Sequence, residues 1–126
     1  MKWVSAAEVL AFHDRILQTL PGVPGMPDVG RANAIIHRVY NLAHYKGITD
    51  VFELAAIYWV AIARGHIFND GNKRTAFFIT VAFLRRNGVL IRDEGNELEE
   101  LTVKAATGEM TPEQLAGRLR ELVDVR

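Results

Sequence analysis

The stretch Arg64-Gly65-His66-Ile67-Phe68-Asn69-Asp70-Gly71-Asn72-Lys73-Arg74-Thr75 is a short polar loop between the two most apolar segments of the chain. Residues 54–63 and 76–84 are apolar on nearly every face when set on a helix, a pattern typical of buried helices. Polar and charged side chains at such a junction cost free energy unless something binds them. The stretch therefore predicts two core helices and also indicates where to look for a function.

Helical periodicity and capping signals predict four more helices around this central pair. A loop rich in proline and glycine covers 21–30, and the apolar piece 89–91 has the composition of a short extended segment. The expected fold is an all-α, compact bundle of about six helices. The predicted helices run from the Ser5-Ala6-Ala7-Glu8 capping box to about Leu20, from Arg31 to about Tyr45, from the Asp50 cap to about Gly65, from Asp70–Asn72 to Asn87-Gly88, from Asn96 to about Thr107, and from the Thr111 cap onward.

The apolar positions of the first two helices predict which of their faces point inward. In the first helix this pattern leaves His13 largely outward. In the second helix it places Leu42 among the inward residues. His37 and His44 share one face of the second helix without any acidic partner, so we expect them to be surface histidines.

Composition narrows the function classes. The chain has 126 residues, 49% of them hydrophobic, which suits one domain over 1–126. Lysine plus arginine and aspartate plus glutamate number 15 each, so the net charge is zero and no overall field favours nucleic acid or an anionic membrane. Cysteine is absent, which excludes disulfides and thiol chemistry. Without a signal peptide or a spanning segment, we expect a soluble, cytoplasmic protein.

The loop has the geometry of an anion site. It ends at a helix N-terminus, where unpaired amide groups and the helix dipole favour a negative charge. Gly71 lets a ligand approach the backbone closely. Lys73 and Arg74 lie in the first helical turn, where the dipole disfavours cations by about 0.3–1 kcal/mol each. A bound phosphate would explain both cations, because amides, ammonium and guanidinium can converge on the same oxygens.

His66 and Asp70 complete the predicted site. His66, at the entrance of the loop, is the natural general base for an attacking hydroxyl. Asp70 beside a phosphate is a usual magnesium ligand. Taken singly, each residue also has a structural explanation: a packing histidine, a helix cap, or a solvated basic face for Lys73 and Arg74. His66 and Asp70 could alternatively be two metal ligands, although a third ligand is not evident.

The run from His66 to Arg74 resembles the signature of the Fic/Doc family, and specifically its death-on-curing (Doc) toxin branch. The family consensus reads His-Pro-Phe, two variable or acidic residues, and then Gly-Asn-Gly-Arg. Further similarity covers nearly the whole chain. It lies in the segments 20–26, 30–36, 84–89 and 105–109. The resemblance implies the same all-helical fold.

The resemblance also implies a nucleotide-dependent transferase that acts on a protein hydroxyl. In that family the motif histidine is the base, the acidic residue holds magnesium, and the loop amides, asparagine and arginine bind phosphates. Carried over to this chain, the implied cofactors are ATP and Mg²⁺. The implied residues are His66, Asp70, Gly71, Asn72 and Arg74.

Two departures from the family consensus decide between its branches, and a third, at Ile67, is milder. Lys73 replaces the second motif glycine, Phe77 stands where many members have a second arginine, and Ile67 replaces proline. A lysine side chain fills space that AMP-transferring members leave for phosphate. The resemblance to Doc therefore implies transfer of the γ-phosphate, with elongation factor Tu as the target, and makes AMP transfer the alternative. A non-catalytic helical module that binds an anion or a partner helix is the alternative from another class.

Regulation is inferred from a missing pattern. Many family members carry an inhibitory helix with a serine or threonine, three residues, a glutamate, and then glycine or asparagine. The nearest approaches in this chain fail, since Glu94-Gly95 has Leu90 four residues earlier and Glu53 is followed by Leu54. The resemblance instead implies a separate antitoxin, whose C-terminal segment folds as a helix into a groove of this protein.

Overall fold

The computed structural model describes residues 1–19, 29–68, 71–93 and 95–124. Asp70 and most of the predicted 21–30 loop lie outside these residues, as does the predicted end of the first helix at Leu20. The prediction of an all-helical bundle is confirmed. The helices are α1 (Ala6–Thr19), α2 (Val29–Lys46), α3 (Val51–Arg64), α4 (Asn72–Arg86), α5 (Glu97–Thr107) and α6 (Pro112–Glu121).

Helix α3 forms the centre of the bundle. It packs against α2, α4, α5 and α6, while α1 packs on α2 and α4. Its side chains Leu54, Tyr58, Trp59 and Ile62 are at most 1% exposed. The near-continuous apolar sequence of α3 therefore reflects neighbours on most of its faces.

The polar side chains of Tyr58, Trp59 and Thr102 inside this core have hydrogen-bond partners. Trp59 Nε1 donates to Thr102 Oγ1 over 2.8 Å, and Thr102 Oγ1 donates in turn to the Leu98 carbonyl oxygen over 2.7 Å. The Tyr58 hydroxyl donates to the Val4 carbonyl oxygen over 2.9 Å. Since an unpaired buried polar group costs about 1–3 kcal/mol, these bonds also fix how α5 and the N-terminal segment meet α3.

The predicted caps are confirmed. In the Ser5 capping box the hydroxyl accepts from the Glu8 amide and the Glu8 carboxylate accepts from the Ser5 amide. The Asp50 carboxylate accepts from two amides of the first turn of α3. Thr111 and Gln114 form a second, complete capping box at α6. These local signals explain why the predicted helix starts lie close to the observed ones.

Two predictions about the direction of side chains are wrong. His13 is 1% exposed, and it lies in the buried stripe of α1 with Val9 and Ile16. Leu42, predicted to point inward, is 37% exposed on α2. The short 89–91 segment is extended at its end, where Ile91 forms an isolated antiparallel bridge with Val123.

One ion pair joins the start of α1 to the end of α4. Both terminal nitrogens of Arg86, Nη1 and Nη2, donate to the Glu8 carboxylate, and Nη1 also donates to the Trp3 carbonyl oxygen over 2.9 Å. The Arg86 hydrogen bond lowers the pKa of Glu8 from 4.5 to about 2. A carboxyl group with a lowered pKa stabilises the fold above its unfolded pKa and loses that contribution as the pH falls.

We expect Glu8→Gln to lower the free energy of unfolding by about 1 kcal/mol at pH 7, because both side chains of the pair are about one-third exposed. Glutamine preserves the capping box, so the change isolates the charge. Denaturant unfolding should show the difference from the parent shrinking as the pH falls from 4.5 towards 2. Glu109→Gln, at an exposed position, is the control. A difference that does not change with pH would contradict this account.

Candidate active site

The loop leaves α3 through a close contact at Gly65. A Cβ atom at this position would lie 2.6 Å from the Ala61 carbonyl oxygen and 2.4 Å from Ile35 Cδ1. The Ala61 oxygen belongs to the backbone, which cannot move aside as the end of the Ile35 side chain can. Glycine is therefore required here, and it lets the chain turn tightly out of the helix towards His66.

His66 is exposed and has a φ of 49°. It is the one non-glycine residue with a positive φ among the described residues. Left-handed backbone costs an L-residue about 1–2 kcal/mol, and such residues are concentrated at functional sites. The loop thus keeps a strained, solvent-facing histidine where glycine would be easier to place.

The next two residues hold the loop in the core. Ile67 is fully buried and Phe68 is 3% exposed, so both side chains anchor the loop. Asn72 clamps the same residue: its Oδ1 accepts from the Phe68 amide over 3.0 Å, and its Nδ2 donates to the Phe68 carbonyl oxygen over 2.8 Å. The side chain of Asn72 is therefore engaged inside the loop, which leaves its backbone amide as the group that could bind a ligand at the helix start.

His13 supports the loop from below, and sequence reasoning missed it. Its ring stacks on Phe68 with centroids 3.5 Å apart and planes 2° apart. It also lies under Gly71, where a Cβ atom would come within 3.4 Å of two ring atoms. The spacing of Val9, His13 and Ile16 on one helical face was a signal for its burial. The polarity of histidine instead led to the prediction that His13 points outward.

Among the described residues, no side chain caps the N-terminal amides of helix α4. Its N-cap is Gly71, with φ 82° and no side-chain hydrogen bond to the first turn. Lys73 and Arg74 follow in that turn and are exposed. Neither forms an ion pair with any residue of the described ranges. The arrangement leaves amide donors, a positive helix end and two cations together, which is the chemistry of an anion site.

The predicted residues that the structure describes share one cleft of about 640 Å³. His66, Gly71, Asn72, Lys73 and Arg74 all line it. Its other lining residues come from the end of α3, the second turn of α4, and α5 with the segment before it. They are Ala63, Phe77, Phe78, Asp93, Asn96, Glu99, Thr102 and Val103. The acidic residues of this set were not predicted to be at the site.

The described residues contain neither a cluster of metal-ligating side chains nor a membrane-spanning helix. Nowhere in these ranges do three histidine, aspartate or glutamate side chains lie close enough together to hold a metal ion. Over the same residues, no helix has the length and the apolar character needed to cross a bilayer. Asp70, the predicted magnesium ligand, lies outside the described residues.

Comparisons with known proteins match the chain along most of its length. The model of the Fic/DOC family matches residues 3–84, which contain α1 to α3, the loop and most of α4. The chain is also similar to a curated protein named protein kinase doc, from Escherichia phage P1. The two are 52% identical over 122 residues, which is 97% of this chain and 96% of the phage protein.

We expect His66→Gly to be more stable than His66→Ala by roughly 0.5–1 kcal/mol, because glycine accepts a positive φ and alanine does not. Denaturant unfolding of both variants measures the difference. The control is the same pair at Asn41, an exposed position inside α2. There alanine should be the more stable variant by about 1 kcal/mol. Greater stability of His66→Ala would show that the left-handed conformation does not persist in solution.

Proposed function

This chain belongs to the Fic/DOC family, and on that premise we propose that it is the toxin of a toxin–antitoxin pair, acting as a protein kinase. It transfers the γ-phosphate of ATP to a threonine or serine hydroxyl of a translation factor. The protein kinase doc of phage P1, 52% identical to this chain, supports the reaction class. The main observation is the cleft where an exposed histidine meets Lys73, Arg74 and the start of α4. Over the described residues, that helix start has no side-chain cap and neither cation has an ion-pair partner.

The cleft fits a nucleotide through its phosphates. No side chain in the described part of the sequence caps the amides of the first turn of α4, so these amides can donate to phosphate oxygens. Lys73 and Arg74 add an ammonium and a guanidinium, and the latter can bind two oxygens at once. The carboxylates of Asp93 and Glu99 also line the cleft. Their negative charge disfavours phosphate beside them, which favours a pose with the phosphates close to α4.

Magnesium is assigned to Asp70, which holds the matching place in the family motif. A bound Mg²⁺ would neutralise phosphate charge. Asp70 stands directly before Gly71 in the sequence. Its carboxylate is therefore carried by the same loop that presents the helix start.

The transfer needs a base and a set of groups that stabilise the charge on the phosphoryl oxygens. His66 accepts the proton of the acceptor hydroxyl as the hydroxyl oxygen bonds to the γ-phosphorus. The bond between that phosphorus and the β–γ bridging oxygen breaks, and ADP leaves with the electron pair. Lys73, Arg74 and the α4 amides stabilise the charge on the phosphoryl oxygens, the main contribution that proteins make to this reaction.

Lys73 and Phe77 favour γ-phosphate transfer over AMP transfer. Both line the cleft, where AMP-transferring members of the family have a glycine and often a second arginine. Compared with those members, Lys73 adds bulk and positive charge beside Arg74. Phe77 has no guanidinium where many of them have a second arginine. AMP transfer remains the runner-up, and the label experiment below distinguishes the two.

We assign elongation factor Tu as the substrate on the basis of the Doc resemblance, with arrest of translation as the result. ATP and this factor are both cytoplasmic, so we place the protein in the cytoplasm. An antitoxin whose C-terminal helix docks in a groove of this protein would provide the inhibition. The chain itself lacks the inhibitory motif of many family members.

Incubation with elongation factor Tu and ATP labelled at either the α or the γ position tests the reaction directly. We expect γ label alone on the factor, and a loss of at least about 100-fold in the rate for His66→Ala, since a positioned base contributes about 10²–10⁴-fold. The exposed His37→Ala is the control. Transfer of α label would replace the kinase by an AMP transferase.

Growth on expression distinguishes an enzyme from a non-catalytic binding module. The parent protein and His37→Ala should both arrest growth, whereas His66→Ala should not. If His66→Ala arrests growth as strongly as the parent, His66 is not a base and the catalytic proposal fails.

We expect Lys73→Gly to lower γ-phosphate transfer by about 10- to 100-fold, the value of one charge-assisted hydrogen bond to phosphate. Lys73→Arg should retain more of the rate because it keeps the positive charge. Thermal unfolding of both variants checks that glycine in the first helical turn leaves the fold intact. Undiminished γ transfer by Lys73→Gly would remove lysine from the phosphate site.

A further inference from the structure

A second groove lies between α2 and α3 and also ends at His66. Its volume is about 670 Å³. Its floor and walls come from these two helices and from the first residues of the loop. The lining residues are Gly30, Arg31, Ala34, Ile35, Arg38, Val39, Leu42, Ile57, Val60, Ala61, Arg64, Gly65 and His66. His66 therefore lines both this groove and the cleft that holds Lys73 and Arg74.

The groove is apolar along its floor and basic along its rim. Leu42, 37% exposed, and the half-buried Val60 and Ala61 leave apolar surface open to a ligand. Arg31 and Arg38 are exposed on α2, and Arg64 is exposed at the end of α3. The groove is therefore matched to a segment with one apolar face and acidic residues beside it.

The rim arginines differ from the structural arginines of the same chain. Arg86 is paired with Glu8, and Arg118 is paired with Glu97 and Glu121. None of the three rim arginines has an acidic partner among residues 1–19, 29–68, 71–93 and 95–124. Arg31 only donates to the Gly65 carbonyl oxygen, over 3.4 Å. In a chain of zero net charge, these arginines form a local positive surface that no carboxylate of the described residues pairs with.

The position of His66 decides which ligand belongs in the groove. In phosphoryl transfer the attacking and leaving oxygens lie roughly in line on opposite sides of the phosphorus. The nucleotide and the acceptor hydroxyl must therefore reach the base from different directions. Lys73 and Arg74 assign the nucleotide to the cleft at α4, which leaves the α2–α3 groove, the other cavity that His66 lines, for the acceptor.

We propose that the α2–α3 groove binds an acidic, amphipathic segment of the protein substrate and so delivers its hydroxyl to His66. The proposal rests on the kinase function above and adds where, and by what chemistry, the substrate is recognised. Arg31 and Leu42 are eleven residues apart on α2, a distance of about 16 Å. The groove accordingly accepts about three turns of helix, or about five extended residues.

Charge removal at Arg38 tests the basic rim. With elongation factor Tu as the probe, Arg38→Gln should raise the KM for the factor by about fivefold, the upper range for one exposed ion pair. The kcat and the KM for ATP should not change. Arg85→Gln, exposed in the last turn of α4, is the matched control. Equal KM values for the two variants would overturn the proposal.

A pair of leucine variants tests the apolar floor. Leu42→Glu places a negative charge in the groove and should raise the KM for the factor by at least the same factor. Leu90→Glu makes the same change at a leucine of similar exposure, 39% against 37%, outside the groove. Thermal unfolding should be the same for both variants. Retention of the parent KM by Leu42→Glu would also overturn the proposal.

Binding to peptides separates failure of the groove from failure of the kinase function. The probe is an eleven-residue amphipathic peptide of glutamate and leucine, compared by fluorescence anisotropy with its lysine–leucine counterpart. The acidic peptide alone should bind, and Arg38→Gln should weaken it about fivefold. Active kinase without this binding would reject the groove and leave the function standing. Peptide binding without any phosphate transfer by the parent would reject the substrate assignment together with the kinase.

The same variants identify a different occupant. If Arg38→Gln and Leu42→Glu phosphorylate the factor normally but escape inhibition by the antitoxin, the groove belongs to the antitoxin and the proposal fails. If they instead change the oligomeric state of the purified protein with no effect on KM, the groove is a contact between two copies. That result also overturns the proposal.

Discussion

The anchoring of Phe68 is the constraint on which the candidate site depends. One residue is held in three ways: its ring is buried, His13 stacks on it, and Asn72 hydrogen-bonds both its amide and its carbonyl oxygen. With this residue fixed, His66 is two positions from a rigid point on one side, and the start of α4 is four positions away on the other. The loop has little freedom to relax the left-handed backbone of His66.

This anchoring explains how an exposed histidine can be preorganised. Exposed side chains in loops usually sample many conformations, and a base that must be positioned anew loses rate. Here α1 contributes His13 under the loop, and α3 contributes the tight exit at Gly65, where a Cβ atom would clash with backbone. Burial of its neighbours holds His66 in its strained backbone conformation, an arrangement often found at functional sites.

Local signals predicted most of the fold, and tertiary contacts determined the rest. The boxes at Ser5 and Thr111 predicted helix starts because capping is a short-range interaction. The burial of His13 could not be read from its polarity, since it depends on an aromatic ring 55 residues away in the sequence. Leu42 has the spacing of a core residue, but it lines the α2–α3 groove and is 37% exposed.

The candidate site, like the fold, could be predicted from the sequence only in part. Its location followed from a polar loop between apolar helices. The sequence predicted the roles of individual residues less completely than it predicted this location. Asn72 carries a motif asparagine, and yet its side chain serves the loop through both of its polar atoms. Asp93 and Glu99 line the cleft from a distant part of the chain, which no spacing within the motif could indicate.

The charges at the helix starts show that the cations of the site are a local exception. Helix α5 begins with Glu97, Glu99 and Glu100, in agreement with the positive end of its dipole. Helix α4 has no acidic residue in its first turn and carries Lys73 and Arg74 instead. The same chain thus follows the dipole rule at one helix and violates it at another, next to the strained histidine. A ligand that brings negative charge to α4 removes the conflict, and phosphate does so with the donors already in place.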